Sequence, residues 1–324
     1  MIFALAITGP TASGKTALSL GLAERLGAEI ISCDSMQIYQ GMDIGTAKAT
    51  PEERARVPHH LIDFLSPLEN YSAENYRTDA VSCAKAITDR DRLPLFVGGT
   101  GLYIDTVKRG AAPESPESDP EYRERILSSL KTDEDVHALW ERLRQVDPES
   151  AEKIHENNVK RVIRALEIYD KTGKPKSELD KESLTYKGEV FVGMMTIDFL
   201  DRENLYKRVD MRVDIMMEDG LLSEVETLYK AGLLNGGTAS QAIGYKELVE
   251  YIEGRCSLSE AVENLKLASR RYAKRQLTWF RHEKDARVIY ADLPDGSMKS
   301  AEDMLSEALS IAEDFFKEYE LTKG

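Results

Sequence analysis

The sequence predicts an α/β fold in which a doubly wound parallel sheet carries a helical insertion domain. Short apolar runs at residues 2–7, 28–33 and 93–97 alternate with segments of helical periodicity. Strands that alternate with helices are typical of a parallel sheet with right-handed crossovers. A polar, proline-rich segment at residues 112–120 then separates this pattern from a run of helices. The interruption predicts an insertion into the sheet domain.

The first elements form a strand, a glycine-rich turn and a helix, because apolar residues recur at helical spacing over residues 17–26. The second strand ends at Asp34, and the third ends at a Gly98-Gly99-Thr100-Gly101 turn. Between them we expect a polar loop at residues 43–58 and a helix at residues 73–90. The carboxyl ends of parallel strands lie at one edge of the sheet, where ligands bind. We therefore expect these turns to share a site.

The second half returns to the sheet after the insertion. Residues 121–172 are predicted to form consecutive helices that start at Asp133 and Asp147-Pro148 and stop at Gly173-Lys174-Pro175. Strand character returns at residues 189–197, residues 202–280 are helical, a last strand spans residues 286–290, and an acidic helix spans residues 300–319. The predicted domains are a catalytic core, residues 1–112 and 188–324, and a helical insertion domain, residues 113–187.

Composition narrows the class of protein. The chain has 324 residues, 42% hydrophobic and 31% charged, as in a globular protein of about two domains. The first apolar run is too short for a signal peptide or a membrane span, so we expect a cytoplasmic protein without membrane association. Cys33, Cys83 and Cys256 are too dispersed to suggest disulfides or structural zinc. The formal net charge of −14 argues against general nucleic-acid binding.

A phosphate-binding loop follows the first strand. The motif G-x-x-x-x-G-K-[ST] is matched by Gly9, Pro10, Thr11, Ala12, Ser13, Gly14, Lys15 and Thr16. Backbone amides at the start of the helix are expected to surround a polyphosphate, with Lys15 at the outer phosphates and Thr16 holding Mg²⁺. The fold is therefore expected to be P-loop NTPase-like. The motif does not decide whether a P–O or a C–O bond is broken.

Two further residues at the same edge have competing interpretations. Asp34 could bind Mg²⁺, act as a general base, or cap a following helix through Ser35. Thr100 could donate a hydrogen bond to a ligand or simply belong to a tight turn. The local sequence leaves these alternatives open.

The segment from residue 266 to 284 reverses the overall charge. Its basic residues outnumber its single acid, Glu283, and they are Lys266, Arg270, Arg271, Lys274, Arg275, Arg281 and Lys284. With Tyr272, Trp279 and Phe280 interleaved, such a helix suits a diphosphate, an RNA backbone or both, although a solvated face is the alternative. A smaller basic cluster, Lys160, Arg161 and Arg164, lies in the insertion and has the same alternative.

Ordered motifs along nearly the whole chain resemble the tRNA dimethylallyltransferases, also called tRNA isopentenyltransferases. After the phosphate loop they are DSMQIY from Asp34, DIGTAK from Asp43, PHHLID from Pro58, GGTGLY from Gly98, KRVIRALE from Lys160, AIGYKE from Ala242 and RYAKRQLTWFR from Arg271. No Cys/His cluster follows Phe280, unlike the zinc finger of eukaryotic members. The chain therefore resembles the bacterial type.

The resemblance implies transfer of a dimethylallyl group from dimethylallyl diphosphate to N6 of adenosine 37 in the anticodon stem-loop of tRNA, with release of pyrophosphate. Asp34 is the expected base, because N6 must lose a proton. Lys15, Thr16 with Mg²⁺, and either Arg271 or Arg275 are expected to stabilise the leaving diphosphate. The resemblance places near the RNA Asp34, Ser35, Met36, Gln37, Thr100, Arg123, Lys160, Arg161, Val162, Ile163 and Arg164.

Three other functions remain open at this point. A P-loop small-molecule kinase would consume ATP, an adenylate isopentenyltransferase would prenylate free nucleotides, and a nucleotide-switched RNA-binding protein would have no activity. The large helical insertion with its basic cluster favours a macromolecular acceptor over a free nucleotide. No obligate protein partner is evident.

Overall fold

The computed structural model describes residues 1–109, 119–183, 188–235 and 237–322. It separates into two compact units, unit 1 (Met1–Lys108 and Glu189–Gly324) and unit 2 (Arg109–Gly188). The predicted domain boundaries, after residues 112 and 187, lie outside the described residues, as does most of the proline-rich linker.

Unit 1 contains a fully parallel sheet with strand order β3-β2-β4-β1-β5-β6 among its described residues. The strands are β1 (Ile2–Thr8), β2 (Ala28–Ser32), β3 (His59–His60), β4 (Leu93–Gly98), β5 (Val190–Asp198) and β6 (Arg287–Tyr290). The parallel, doubly wound sheet and its return after the insertion are confirmed. The two-residue strand β3 was not predicted, because two residues are too short to show a period.

Helices follow the strands in chain order. The first group is α1 (Lys15–Leu26), α2 (Pro51–Arg56), α3 (Ala73–Thr88) and α4 (Gly101–Lys108). Unit 2 contains α5 (Pro120–Ser129), α6 (Asp133–Val146), α7 (Pro148–Lys153), α8 (Val159–Thr172) and α9 (Lys176–Ser183). Unit 1 resumes with α10 (Arg202–Glu218), α11 (Leu221–Lys230), a 3₁₀ turn (Ala239–Gln241), α12 (Tyr245–Ile252), α13 (Leu258–Phe280) and α14 (Ala301–Thr322). None of the helices in the described part of the chain is both long and apolar enough to cross a bilayer.

The sheet is buried on both faces, and β1 shows how. Its side chains alternate, so Leu5 and Ile7 join one apolar cluster while Ala4 and Ala6 join another on the opposite face. Burial on both sides requires an uninterrupted apolar strand, which is the run seen in the sequence. Only the ends of the strands remain for polar, ligand-binding loops.

A third apolar cluster fixes the segment that follows β2. Ile38 and Met42 are buried against α10–α13, where Val213 and Leu265 belong to the same cluster. The turn after Asp34 therefore rests on the helical half of unit 1.

The predicted loop at residues 43–58 is wrong for residues 51–56, which form α2. Thr50 and Glu53 form a reciprocal capping box, and Pro51 occupies the first turn. Both are recognised start signals, so the sequence contained the evidence for this short helix.

Unit 2 has its own small core of Leu143, Ala151, Ile154, Val162 and Leu166. Both predicted helix starts are confirmed, since α6 begins at Asp133 and α7 at Pro148. The predicted stop is also confirmed, because α8 ends at Thr172 and Gly173 adopts a left-handed φ of 71°. Helix α9 follows the stop and was not predicted.

Gly98 permits a close approach that the candidate site requires. A Cβ atom at this position would lie 2.2 Å from the carbonyl oxygen of Cys33, which accepts the amide of Thr100. We expect Gly98→Ala to destabilise the protein by about 1–3 kcal/mol, because backbone must shift to relieve the clash. Chemical denaturation measures the effect.

Gly21→Ala is the matched control for Gly98→Ala. Its added methyl group would meet only the flexible end of Leu305, at 3.3 Å, in the middle of a helix. Alanine also favours the helix there. Equal destabilisation by the two substitutions would contradict the role given to Gly98.

Candidate active site

The loops at the carboxyl ends of β1, β2 and β4 surround one cavity of about 610 Å³, which lies within unit 1. Residues 11–16, residues 34–37 and the pair Gly98-Gly99 contribute to its wall. Helices α10 and α13 complete the wall with Arg208, Arg212 and Arg275 among others. The predicted convergence of the three turns at one edge is confirmed.

The phosphate loop begins and ends as the motif requires. Residues 11–16 line the cavity. The ammonium of Lys15 donates hydrogen bonds to the carbonyl oxygens of Gly9 and Pro10, at 3.0 and 2.6 Å. The hydroxyl of Ser13 is buried without a hydrogen-bond partner among the described residues. A buried polar group of this kind normally finds a partner, and an anion in the loop would supply one.

Lys15 lies in an unusually cationic environment. Its burial, together with Arg212, lowers the pKa of Lys15 from its ordinary value to about 7, although Asp34 acts in the opposite direction. Burial likewise lowers the pKa of Arg212, again opposed by Asp34. Concentrated positive charge of this kind is the property expected of an anion site.

Sequence reasoning missed the two arginines of α10. Arg208 donates from Nε to the carbonyl of Ala12 at 2.8 Å, and Ala12 has a left-handed φ of 62°. Arg212 lies one turn further along the same helix and lines the cavity. The spacing of four residues on a predicted helix was a visible signal. What the sequence could not show is that this face of the helix meets the phosphate loop.

Asp34 closes a turn and does not cap a helix. Its Oδ1 accepts the amide of Met36 at 2.9 Å, and the residues that follow form turns. The helix-capping alternative is therefore wrong. Thr100 accepts the amide of Ser35 at 3.1 Å through its hydroxyl, so it steadies the turn beside Asp34. Asp34, Ser35, Met36 and Gln37 all line the cavity.

A buried glutamine of α13 ties two of these loops together. The side-chain oxygen of Gln276 accepts the amide of Thr11 at 2.9 Å, and its nitrogen donates to the carbonyl of Gly99 at 2.9 Å. One side chain thereby fixes the spacing between the loops that follow β1 and β4. Sequence reasoning missed this residue, because an isolated glutamine in a basic helix has no recognisable pattern.

The basic helix divides into paired and cavity-facing residues. Lys266, Arg270 and Arg281 form ion pairs with Asp214, Asp210 and Asp198 at 2.5–2.8 Å. These pairs account for part of the local charge reversal, and the prediction that the helix suits a diphosphate or an RNA backbone therefore depends on its other basic residues.

The same helix distinguishes between the two candidate arginines. Arg275 lines the cavity, and its guanidinium carbon lies 5.6 Å from the ring centre of Tyr272. Both arginines are exposed, but Arg271 is not part of the cavity wall. Of the two predicted diphosphate ligands, the geometry favours Arg275.

The predicted RNA-contacting residues of unit 2 fall into different environments. Lys160 and Arg161 are exposed at the start of α8, whereas Val162 and Ile163 are each only 1% exposed. The side chains of Val162 and Ile163 are therefore too buried to contact RNA as they stand. Helical periodicity explains the difference, because positions two residues apart on a helix with 3.6 residues per turn lie on roughly opposite sides.

Arg123 and Arg164 share one carboxylate. Each forms an ion pair with Glu167, at 2.8 and 2.9 Å, and the Glu167 side chain is fully buried. Both arginines therefore contribute to the structure of unit 2. Any contact that they make with RNA must use donors that remain after this pairing.

Comparison with known proteins identifies close relatives over most of the chain. The family model described as IPP transferase matches residues 37–283, and the model described as isopentenyl transferase matches residues 2–63. A tRNA dimethylallyltransferase of Bacillus velezensis is 51% identical over 280 residues, which cover 86% of this chain and 87% of the relative.

Solved structures agree with the sequence comparison. The full-length tRNA isopentenylpyrophosphate transferase of Bacillus halodurans is 40% identical, covers 100% of both chains and has a TM-score of 0.71. A eukaryotic dimethylallyltransferase acting on tRNA is 31% identical, with a TM-score of 0.80 over 98% of this chain and 80% of that one.

Substitution of the two arginines of α13 tests which one contacts the anion. We expect Arg275→Met to weaken pyrophosphate binding about tenfold, because a charged hydrogen-bond donor leaves the cavity wall. Arg271→Met, the matched change on the same helix, should leave the dissociation constant within about twofold. Isothermal titration calorimetry measures both. The reverse order of effects would contradict the assignment.

Lys15 should make diphosphate binding depend on pH. With its pKa near 7, most of the side chain is neutral at pH 8, and a bound diphosphate would restore the charged form. Binding should therefore take up roughly 0.9 proton at pH 8, and affinity should fall as the pH rises above 7. Calorimetry in buffers of different ionisation enthalpy measures the uptake.

Lys15→Arg supplies the reference for this proton count. Arginine stays charged at every pH used, so any remaining uptake belongs to pyrophosphate itself. Equal uptake by the parent protein and Lys15→Arg would show that Lys15 is already charged before binding.

Proposed function

Because the chain belongs to the IPP transferase family, together with the bacterial tRNA dimethylallyltransferases, we propose that it prenylates adenosine 37 of tRNA with dimethylallyl diphosphate as donor. The observation that carries this proposal is one cavity that contains both a phosphate loop and the carboxylate of Asp34. A diphosphate leaving group and a proton acceptor are the two requirements of alkyl transfer to an amine.

The cationic end of the cavity suits the diphosphate. Lys15, Arg212 and Arg275 line the same wall as the amides of residues 11–16. Negative charge builds on the diphosphate as the allylic C–O bond breaks, and fixed positive groups stabilise that charge more in a desolvated site than in water. This arrangement lowers the barrier to departure of the leaving group.

The reaction that we propose is a substitution at the allylic carbon. The lone pair of adenine N6 forms the new N–C bond, and the electron pair of the C–O bond leaves with pyrophosphate. N6 then carries an extra proton, which passes to the carboxylate of Asp34. Since one oxygen of Asp34 accepts the Met36 amide, the turn holds the carboxylate in a fixed orientation.

The protein residues in the cavity could bind Mg²⁺ only together with oxygen ligands from the substrate. The described residues contain no group of three or more His, Cys, Asp or Glu side chains that could hold a metal ion. The hydroxyl of Thr16 and the carboxylate of Asp34 offer hard oxygen atoms in the cavity wall. Mg²⁺ commonly binds through one or two protein oxygens with substrate phosphates and water, and it would neutralise charge on the diphosphate.

The residues that line the cavity and the exposed basic residues of unit 2 are consistent with a tRNA acceptor. Adenosine 37 must leave its stack to enter the cavity, where Ser35, Met36 and Gln37 line the wall. Exposed Lys160 and Arg161 in unit 2 can contact phosphates, which would raise affinity without reading sequence. A tRNA substrate also suits the cytoplasmic location expected from the sequence.

The direct test combines the protein with Mg²⁺, dimethylallyl diphosphate and an unmodified tRNA that carries adenosine at positions 36 and 37. Nucleoside masses after digestion should show one added C5H8 unit on adenosine. A parallel reaction replaces the donor with ATP. ATP turnover without prenylation would support a kinase and contradict the proposal, and prenylation of free AMP in preference to tRNA would support an adenylate isopentenyltransferase.

Asp34→Asn separates chemistry from binding. We expect loss of transfer by at least about a hundredfold, the lower range for removal of a general base, with tRNA affinity within about threefold of the parent protein. Single-turnover product formation and a filter-binding assay measure the two quantities. Loss of tRNA binding to the same degree as loss of activity would make Asp34 a recognition residue and remove its assignment as the base.

A further inference from the structure

The side-chain amide of Gln37 is held in one orientation. Its nitrogen donates to the carbonyl oxygens of Thr46 and Ala47, both at 3.2 Å, and its oxygen accepts the hydroxyl of Ser32 at 3.2 Å. Gln37 also lines the cavity.

The carbonyls of Thr46 and Ala47 determine the positions of the nitrogen and the oxygen in the Gln37 side-chain amide. Carbonyl oxygens accept hydrogen bonds and cannot donate them. A reversed amide would place the Gln37 oxygen against two other oxygens at 3.2 Å, with no hydrogen between them. Both hydrogens of the amide nitrogen are therefore engaged in hydrogen bonds to these carbonyls. What Gln37 can still offer to the cavity is the second lone pair of its oxygen.

The loop that carries the two carbonyls is itself fixed by a carboxylate. Glu224, on α11, accepts the amides of Asp43 and Ile44 at 3.0 and 2.8 Å through Oε2, and that of Gly45 at 3.2 Å through Oε1. Oε1 also accepts the hydroxyl of Tyr245 at 2.6 Å. Three successive amides around one carboxylate form a nest, which holds the backbone in a single conformation.

A buried lysine fixes the other end of the same loop. The ammonium of Lys48 bonds to the carbonyl of Tyr39 and to the carboxylates of Asp43 and Asp63, at 2.7, 2.5 and 2.8 Å. Ala47 is left with a positive φ of 45°, which a residue other than glycine adopts only under constraint. The strained carbonyl is one of the two that orient Gln37.

We propose that Gln37 selects a 6-aminopurine over a 6-oxopurine at the acceptor position, and that Glu224 positions the loop that sets the polarity of Gln37. The proposal rests on the proposed function, since it concerns the base that enters the same cavity. Gln37 acts as a fixed hydrogen-bond acceptor. Glu224 acts through the loop as a positioning residue.

The selectivity follows from the donors on each base. The amino group of adenine carries two hydrogens, so one can face Asp34 and the other can face Gln37. The 6-oxo group of hypoxanthine or guanine has lone pairs only, and it would meet the Gln37 oxygen without a hydrogen. An amide free to rotate would turn its nitrogen to that group, but the carbonyls of Thr46 and Ala47 prevent the rotation. An unpaired acceptor in a desolvated site is the strongest source of discrimination.

Binding of anticodon stem-loops tests the proposal without any chemical step. The stem-loops carry adenosine, purine riboside or inosine at position 37, and their dissociation constants are measured by fluorescence anisotropy in the absence of donor. We expect the full-length protein to bind adenosine at least about tenfold more tightly than inosine, with purine riboside between them, because purine riboside lacks the donor but adds no repulsion.

Gln37→Met removes the fixed acceptor at similar volume. We expect the inosine-to-adenosine ratio of dissociation constants to fall at least about fivefold, while the preference due to Asp34 remains in both proteins. Glu224→Gln should lower the same ratio by a smaller factor, because the loop loosens while Gln37 itself is unchanged. Glu226→Gln is the matched control on α11, since its exposed carboxylate pairs only with Lys230 at 3.2 Å among the described residues.

The ratio distinguishes recognition from general damage. Partial unfolding would weaken all three stem-loops equally and leave the ratio unchanged, and thermal unfolding of each variant identifies that case. An unchanged ratio in a folded Gln37→Met protein would overturn the proposal, as would equal binding of adenosine and inosine by the parent protein. Failure of prenylation in the mass assay, with the binding ratio intact, would instead contradict the proposed reaction and leave base selection standing.

Discussion

Burial of the parallel sheet on both faces is the constraint on which the candidate site depends. Side chains of β1 alternate between two apolar clusters, and neither face can accept a polar ligand. Polar chemistry is therefore confined to the strand ends, and parallel strands place all their carboxyl ends at one edge. The phosphate loop, the Asp34 turn and the Gly98 turn lie together because each follows a parallel strand that ends at this edge of the sheet. Gln276 then fixes their separation from the helical side.

Charge is distributed unevenly within an acidic protein. Acids of α10 and β5 neutralise Lys266, Arg270 and Arg281, whereas Lys15, Arg212 and Arg275 line the cavity. The net charge of −14 thus conceals a cationic cavity wall, in which Lys15 and Arg212 are partly buried and Arg275 is exposed. An anion that enters it replaces lost hydration, and a dianionic or trianionic diphosphate suits that requirement better than a neutral ligand.

The loop from Asp43 to Lys48 shows how a second layer of residues can control selectivity. Its amides surround an internal carboxylate, Glu224, in the manner that other loops surround a bound anion. The energy of these bonds maintains the strained backbone at Ala47 and, through it, the polarity of Gln37. A substitution outside the cavity can therefore alter base preference without touching the base.

Local patterns in the sequence determined the parallel sheet, the phosphate loop, the helix starts at Asp133 and Pro148, and the position of Asp34 at a strand end. These features follow from short-range causes: side-chain alternation, helix capping and the backbone freedom of glycine. The ordered motifs also indicated the family. Helix α2 was missed although its capping box is equally local, so that error was one of interpretation.

Only the tertiary structure decided which charges meet. Arg212 and Lys15 are separated by 197 positions in the chain, Gln276 and Thr11 by 265, and Glu224 and Ile44 by 180. The partner of a charge depends on how helices pack across the sheet, and no periodicity within one helix specifies it. For the same reason the sequence could not choose between Arg271 and Arg275. Both lie on α13 and both are exposed, and only the packing of α13 makes Arg275 and not Arg271 part of the cavity wall.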